Sequence, residues 1–124
     1  MVTHVCNIKN VNTENNKCIV LSGRIHGREM RMLVDTGAEK NFVTRKFIIE
    51  RQLMSKLTSH EREQLLVRFG NGIEQRLPSV TFTPMVHCGK WKGRVTLNVL
   101  DSDIDYDVIL GMPWLKAAKV KIDA

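Results

Sequence analysis

The sequence predicts a mainly β protein: a small, closed β-barrel-like domain with one or two short helices. Three observations carry that reading. Short apolar runs rich in β-branched residues recur along the chain, separated by Gly, Pro and Asn turn signals. Only two stretches depart from this toward a helical pattern. The chain has 124 residues, 43% of them hydrophobic and 26% charged, which suits one domain able to bury a core without staples.

Residues 1–16 read as a flexible N-terminal entry segment, because "NIKNVNTENN" (7–16) is dense in Asn and poor in apolar residues. The domain proper is expected over 17–124. "CIVLSGRI" (18–25) and "MRMLVD" (30–35) are two strands joined by a turn at "HGRE". From Thr44 the period changes. Ile49, Leu53 and Leu57 recur in steps of four, which predicts an amphipathic helix of about three turns. Thr58 with Glu61 has the form of a capping box for a further helical turn. "LLVRFGNGIEQRLPSV" (65–80) predicts a hairpin with Asn71-Gly72 as a two-residue turn. "VTFTPMV" (80–86), "GRVTLNVL" (93–100) and "YDVILG" (106–111) are further strands. "MPWLKAA" is a short helix with Pro in its first turn, and "KVKID" alternates like a last strand.

Composition narrows the function classes. The net charge of +6 comes from 19 basic and 13 acidic residues that are interleaved along the chain, and only seven residues are aromatic. This reads as solvated surface and argues against nucleic acid as a direct ligand. No apolar run approaches the roughly 20 residues that span a membrane, and "MVTHVCNIKN" lacks the apolar core of a signal peptide. Cys6, Cys18 and Cys88 are odd in number and lack metal spacing, which fits a reduced, intracellular setting. They read as small core or edge residues. The His87-Cys88 pair has no partner spacing for a metal, and the acidic run "DSDIDYD" (101–107) lacks the central Gly and closing Glu of a calcium loop.

The chemistry lies in "RMLVDTGAEKNFV" (31–43), where an aspartate ends an apolar strand and small residues follow. A carboxylate buried alone is costly to ionise. Two brought face to face share one proton, so that one is a base toward water and the other an acid toward a carbonyl oxygen. Gly37 permits a tight turn and close approach of a substrate backbone. Thr36 offers a hydroxyl to pin the loop, and Ala38 leaves space. The chain holds one Asp-Thr-Gly, and a dyad needs two. The economical solution is a symmetric homodimer with one Asp35 from each chain.

Three segments in order, "LVDTGAEKNFV", "VRFGNG" and "YDVILGMPWLKAAKVKID", resemble those of the retropepsins, the aspartic proteases of retroviruses and LTR retrotransposons, with the closer likeness to the Gypsy-type branch. The resemblance covers roughly residues 17–123. It implies a retropepsin fold active as a homodimer, with Asp35 catalytic and Thr36 and Gly37 supporting the active-site loops. It implies substrate contacts from Leu33, Gly37, Ala38, Gly70, Asn71, Gly72 and Ile109, where 70–72 form a flap tip and Leu33 and Ile109 line side-chain pockets. Leu110 and Gly111 would pack beneath the catalytic loop, and "KVKID" would lie near a terminal dimer sheet. The implied activity is an aspartic endopeptidase acting on extended peptides, in the first instance the retroelement polyprotein that contains it. It needs no metal or cofactor and has no membrane partner. The implied location is the cytoplasm or the retroelement particle. The sequence departs from the retroviral pattern at Lys40, where a second acidic residue is usual, and at Met112-Pro113, where an Arg is usual. The alternative reading is a domesticated, non-cleaving module that dimerises or holds peptide.

Overall fold

Alternation along one strand organises the structure. In the computed structural model, which describes residues 2–5, 18–69, 72–101 and 104–118, Arg28–Asp35 forms a strand buried over its last four residues. Met30, Met32 and Val34 point into one apolar cluster, while Leu33 points into a second on the opposite face. Asp35, two residues beyond Leu33, shares its side of the sheet. A strand buried on both faces reads as a continuous apolar run, which is why "MLV" shows no polar alternation.

The strands in chain order are β1 (Val2–Val5), β2 (Cys18–Ile25), β3 (Arg28–Asp35), β4 (Phe42–Thr44), β5 (Thr58–Phe69), β6 (Glu74–Phe82), β7 (Met85–Cys88), β8 (Trp91–Arg94), β9 (Leu97–Leu100) and β10 (Val108–Leu110). Two helices, α1 (Arg45–Glu50) and α2 (Met112–Ala118), complete the described elements with a 3₁₀ turn at Met54–Lys56. The ladder runs β1-β5-β6-β9-β4-β10-β3-β2-β7-β8. It is therefore an open sheet with β1 and β8 at its ends among the described residues, and not the closed barrel that the sequence predicts. No helix among those residues is long and apolar enough to cross a membrane.

Several elements differ from their sequence-based expectation. The helix after Thr44 spans six residues only. Thr44 caps it, its Oγ1 accepting from Phe47 N at 3.2 Å. It stops at Gln52, which takes φ 57°. Leu53 N then donates to Ile48 O and Gln52 N to Ile49 O, a Schellman ending. The buried residues are Phe47 and Ile48, and Ile49 is 54% exposed, so the four-residue period did not mark the core face. Thr58 and Glu61 belong to β5 and cap no helix. The β5–β6 hairpin pairs Arg68 with Glu74, and Asn71 of the turn expected at Asn71-Gly72 lies outside the described residues. Residues 80–86 break at Thr83-Pro84 and 93–100 break at Val95-Thr96, each into two strands. Val95 N donates to Pro84 O at 3.0 Å, so the two breaks meet. Trp114 is buried and meets Trp91 edge to face with centroids 5.7 Å apart, which anchors α2 to the first cluster. The expected strand "KVKID", the Asn-rich stretch 7–16, and Gly70 and Asn71 lie outside the described residues.

Candidate active site

The chain passes from β3 to β4 through residues 36–41, yet these strands are not neighbours. β10 lies between them, parallel to β3 with Ile109 opposite Leu33 and antiparallel to β4 with Ile109 opposite Phe42. The loop after Asp35 must therefore arch over the end of β10. This explains Gly111. A Cβ there would fall 2.4 Å from Lys40 O and 2.6 Å from Ala38 O, so no larger residue fits under the arch.

The arch is held by hydrogen bonds at several points. Ala38 N donates to Asp35 O at 3.1 Å, and Met112 N donates to Ala38 O at 2.9 Å. Asn41 is 6% exposed, and its Oδ1 accepts from Gly111 N at 2.8 Å. Its carbonyl accepts from Asn98 N at 2.8 Å and from Asn98 Nδ2 at 3.1 Å. A second tie fixes the entry to β10. Asp107 Oδ2 accepts from Arg31 N at 2.9 Å, Asp107 N donates to Arg31 O at 3.0 Å, and the Arg31 guanidinium lies over the Tyr106 ring.

Asp35 itself is 2% exposed. Its Oδ1 accepts from Gly37 N at 2.8 Å, so the turn that Gly37 makes aims a backbone donor at the carboxylate. Thr36 is half-buried, Gly37 is exposed and Ala38 is buried beneath them. Leu33 and Ile109 are 0% and 1% exposed and share a cluster with Ala38, Phe42, Leu65 and Val67. Within one chain these two side chains are enclosed by that packing. The cluster also ties the β5–β6 hairpin to the Asp35 loop, through Leu65 and Val67 in its stem. Gly72, at φ 86°, stands at the end of that hairpin with open space where a Cβ would be. Arg68 and Glu74 form an exposed ion pair across it.

Sequence reasoning assigned no role to Asn41, Asn98 or Asp107. The signal for Asn41 was present, since it stands between the turn and β4 within the quoted motif. Asn98 and Asp107 act across 57 and 76 residues of chain, and no local pattern marks them. Cys88 is half-buried, and burial pushes its thiol pKa up, which keeps it neutral and unsuited to nucleophilic work.

A family profile matches the span of chain that carries this arch. The profile described as "gag-polyprotein putative aspartyl protease" matches residues 21–117. The chain belongs to this aspartyl protease family. Solved structures agree on the retropepsin-like fold. The retroviral protease-like domain of Ddi1 from Leishmania major superposes with a TM-score of 0.64 at 18% identity, covering 86% of this chain and 83% of that one. A retropepsin-like aspartic protease from Rickettsia conorii gives a TM-score of 0.59 at 22% identity, covering 86% of this chain and 77% of that one. No curated protein matches the sequence. In this aspartyl protease family member, the matched span holds the whole arch from β3 to α2, including Asp35, Asn41, Asn98, Asp107 and Gly111.

Proposed function

We propose that the protein is a homodimeric aspartic endopeptidase that hydrolyses extended peptides, with the retroelement polyprotein containing it as its first substrate. One observation carries this reading: a single Asp-Thr-Gly whose aspartate is almost fully buried while receiving a backbone N–H. A dyad needs two such aspartates, and the chain holds one Asp-Thr-Gly, so a twofold partner supplies the second.

In the dimer two Asp35 carboxyls share a proton and titrate as a pair. A water held between them gives one proton to the ionised carboxylate as its oxygen bonds to the scissile carbonyl carbon. The protonated carboxyl gives its proton to the carbonyl oxygen. The tetrahedral diol then collapses: the protonated carboxyl gives its proton to the amine nitrogen, the C–N bond breaks, one diol hydroxyl returns its proton to the ionised carboxylate as the C=O re-forms, and the carboxylic acid and amine leave with the dyad again singly protonated. The dyad is competent only when singly protonated, since the doubly protonated form lacks a base and the doubly ionised form lacks an acid. Gly37, which is exposed, offers backbone to the peptide, whereas Ala38, expected to do the same, is buried with its N–H and C=O both engaged in the arch. The substrate adds as a strand beside the β5–β6 hairpin, whose tip at 70–72 acts as the flap. Thr36 contributes to the grip between the two active-site loops.

Asp35→Asn is the test. The amide keeps an acceptor for Gly37 N–H and removes the acid–base pair. Cleavage of a peptide library should fall by roughly 10²–10⁴-fold, with the thermal midpoint held or raised and subunit size unchanged. Unaltered cleavage by Asp35→Asn would refute the mechanism. A wild type that binds library peptides without cleaving them would instead be a peptide-holding module.

A further inference from the structure

The outer edge of β5 is occupied. β1 pairs with it in parallel, Val2 opposite Leu66, Thr3 opposite Val67, His4 opposite Arg68 and Val5 opposite Phe69. This is the strand whose Leu65 and Val67 pack in one cluster with Leu33, Ala38 and Ile109 beneath the Asp35 loop. Left open, such an edge presents a row of unpaired N–H and C=O groups, which is a template for any extended peptide. A substrate that adds as a strand along β5 needs the groups that β1 now uses.

Three features make β1 a displaceable occupant. It is the terminal strand of the ladder, with a neighbour on one side only, so its departure breaks no other strand pair among the described residues. It is four residues long and parallel, a pairing slightly weaker per residue than antiparallel. Twelve residues separate Val5 from Cys18 in the chain, so β1 is joined covalently to the sheet and pairs at an intramolecular, effective concentration. A weak strand is held in place by that concentration, and an added peptide competes with it.

We propose that the Val2–Val5 strand is a built-in competitor for the substrate strand site on β5, so that the chain lowers its own apparent affinity for peptide. This rests on the protease reading for the location of the substrate. The same segment of another copy, supplied as free peptide, would bind the vacated edge.

The test uses the full chain with Thr3→Pro and His4→Pro together. Neighbouring N–H groups on a strand point to opposite edges, so one of the two prolines removes a ladder donor whichever parity faces β5. A peptide cleaved by the wild type should show a KM lower by about two- to tenfold in the variant, with kcat unchanged, because the competent fraction has risen. A labelled synthetic peptide of residues 1–8 should bind the variant severalfold more tightly than the wild type by fluorescence anisotropy, and should inhibit cleavage competitively. Equal KM and equal peptide affinity in the two proteins would overturn the proposal. So would a variant that no longer folds, since β1 would then be a structural strand. If neither protein cleaves, the protease reading falls, and the anisotropy comparison still decides whether β1 occupies a peptide site.

Discussion

Asn41 does for the Asp35 loop what its sequence neighbours cannot. The arch leaves Gly111 N–H buried against β10, out of reach of the ladder, and Asn41 Oδ1 supplies its acceptor. Asn41→Ala leaves that donor without a partner, a cost of about 1–3 kcal/mol. Urea unfolding should show the loss as a lower midpoint with an unchanged slope. Peptide cleavage should fall further than stability alone explains, because the loop that carries Asp35 is no longer pinned. A midpoint equal to wild type would mean that water or another group takes over the bond. At this scale the sequence was informative about residues that act within the loop. Asp35, Gly37 and Ala38 stand together in it, and the Gly37 bond to Asp35 spans two positions. It was uninformative about residues whose partner is set by the crossing of distant strands, such as Asn98 and Asp107.

Among the elements, α1 shows why a periodic pattern misleads. Ile49, Leu53 and Leu57 lie at helical spacing, yet the chain leaves the helix at Gln52 and never brings them to one face. From the helix the core takes Phe47 and Ile48, a pair directly behind the Thr44 cap, while Leu53 enters the same cluster from beyond the helix and Ile49 stays exposed. That cap is therefore a large share of what starts so short a helix, since a six-residue helix has few internal bonds to propagate. Thr44→Ala should cost about 1 kcal/mol, read as a drop in thermal midpoint, while Ile49→Ala on the exposed face should cost less than half as much. Equal costs would show that the cap contributes little. The hairpins were read more successfully. The His26-Gly27 turn has positive φ at both residues and joins β2 to β3 as the sequence predicts. Pro84 and the Val95-Thr96 break were missed because apolar composition continues through them. Only the meeting of Val95 N–H with Pro84 O shows that both strands bend at one place.

For the whole molecule, the prediction that matters concerns assembly. If the competent unit holds two Asp35 carboxyls, an inactive subunit poisons its partner. Wild type mixed with an equal amount of Asp35→Asn, after exchange, should retain about half the activity of the same wild-type concentration alone, because random pairing places half of the wild-type subunits in mixed dimers. Activity per wild-type subunit that does not change on mixing would point to a unit that works alone. Among the described residues the sheet ends at β1 and β8.

The sequence by itself determined the strand-rich class, most strand positions, and the place of a candidate carboxylate at a strand end, because turn residues and a single Asp-Thr-Gly are local signals. Tertiary structure alone decided that β10 enters between β3 and β4, that the sheet stays open, and that Asn41 and Asn98 hold the arch. It also decided that β1 covers the edge of β5. The reason is physical. Strand order and register are set by which faces bury together, and residues far apart in the chain acquire their roles only when that burial brings them within hydrogen-bond reach.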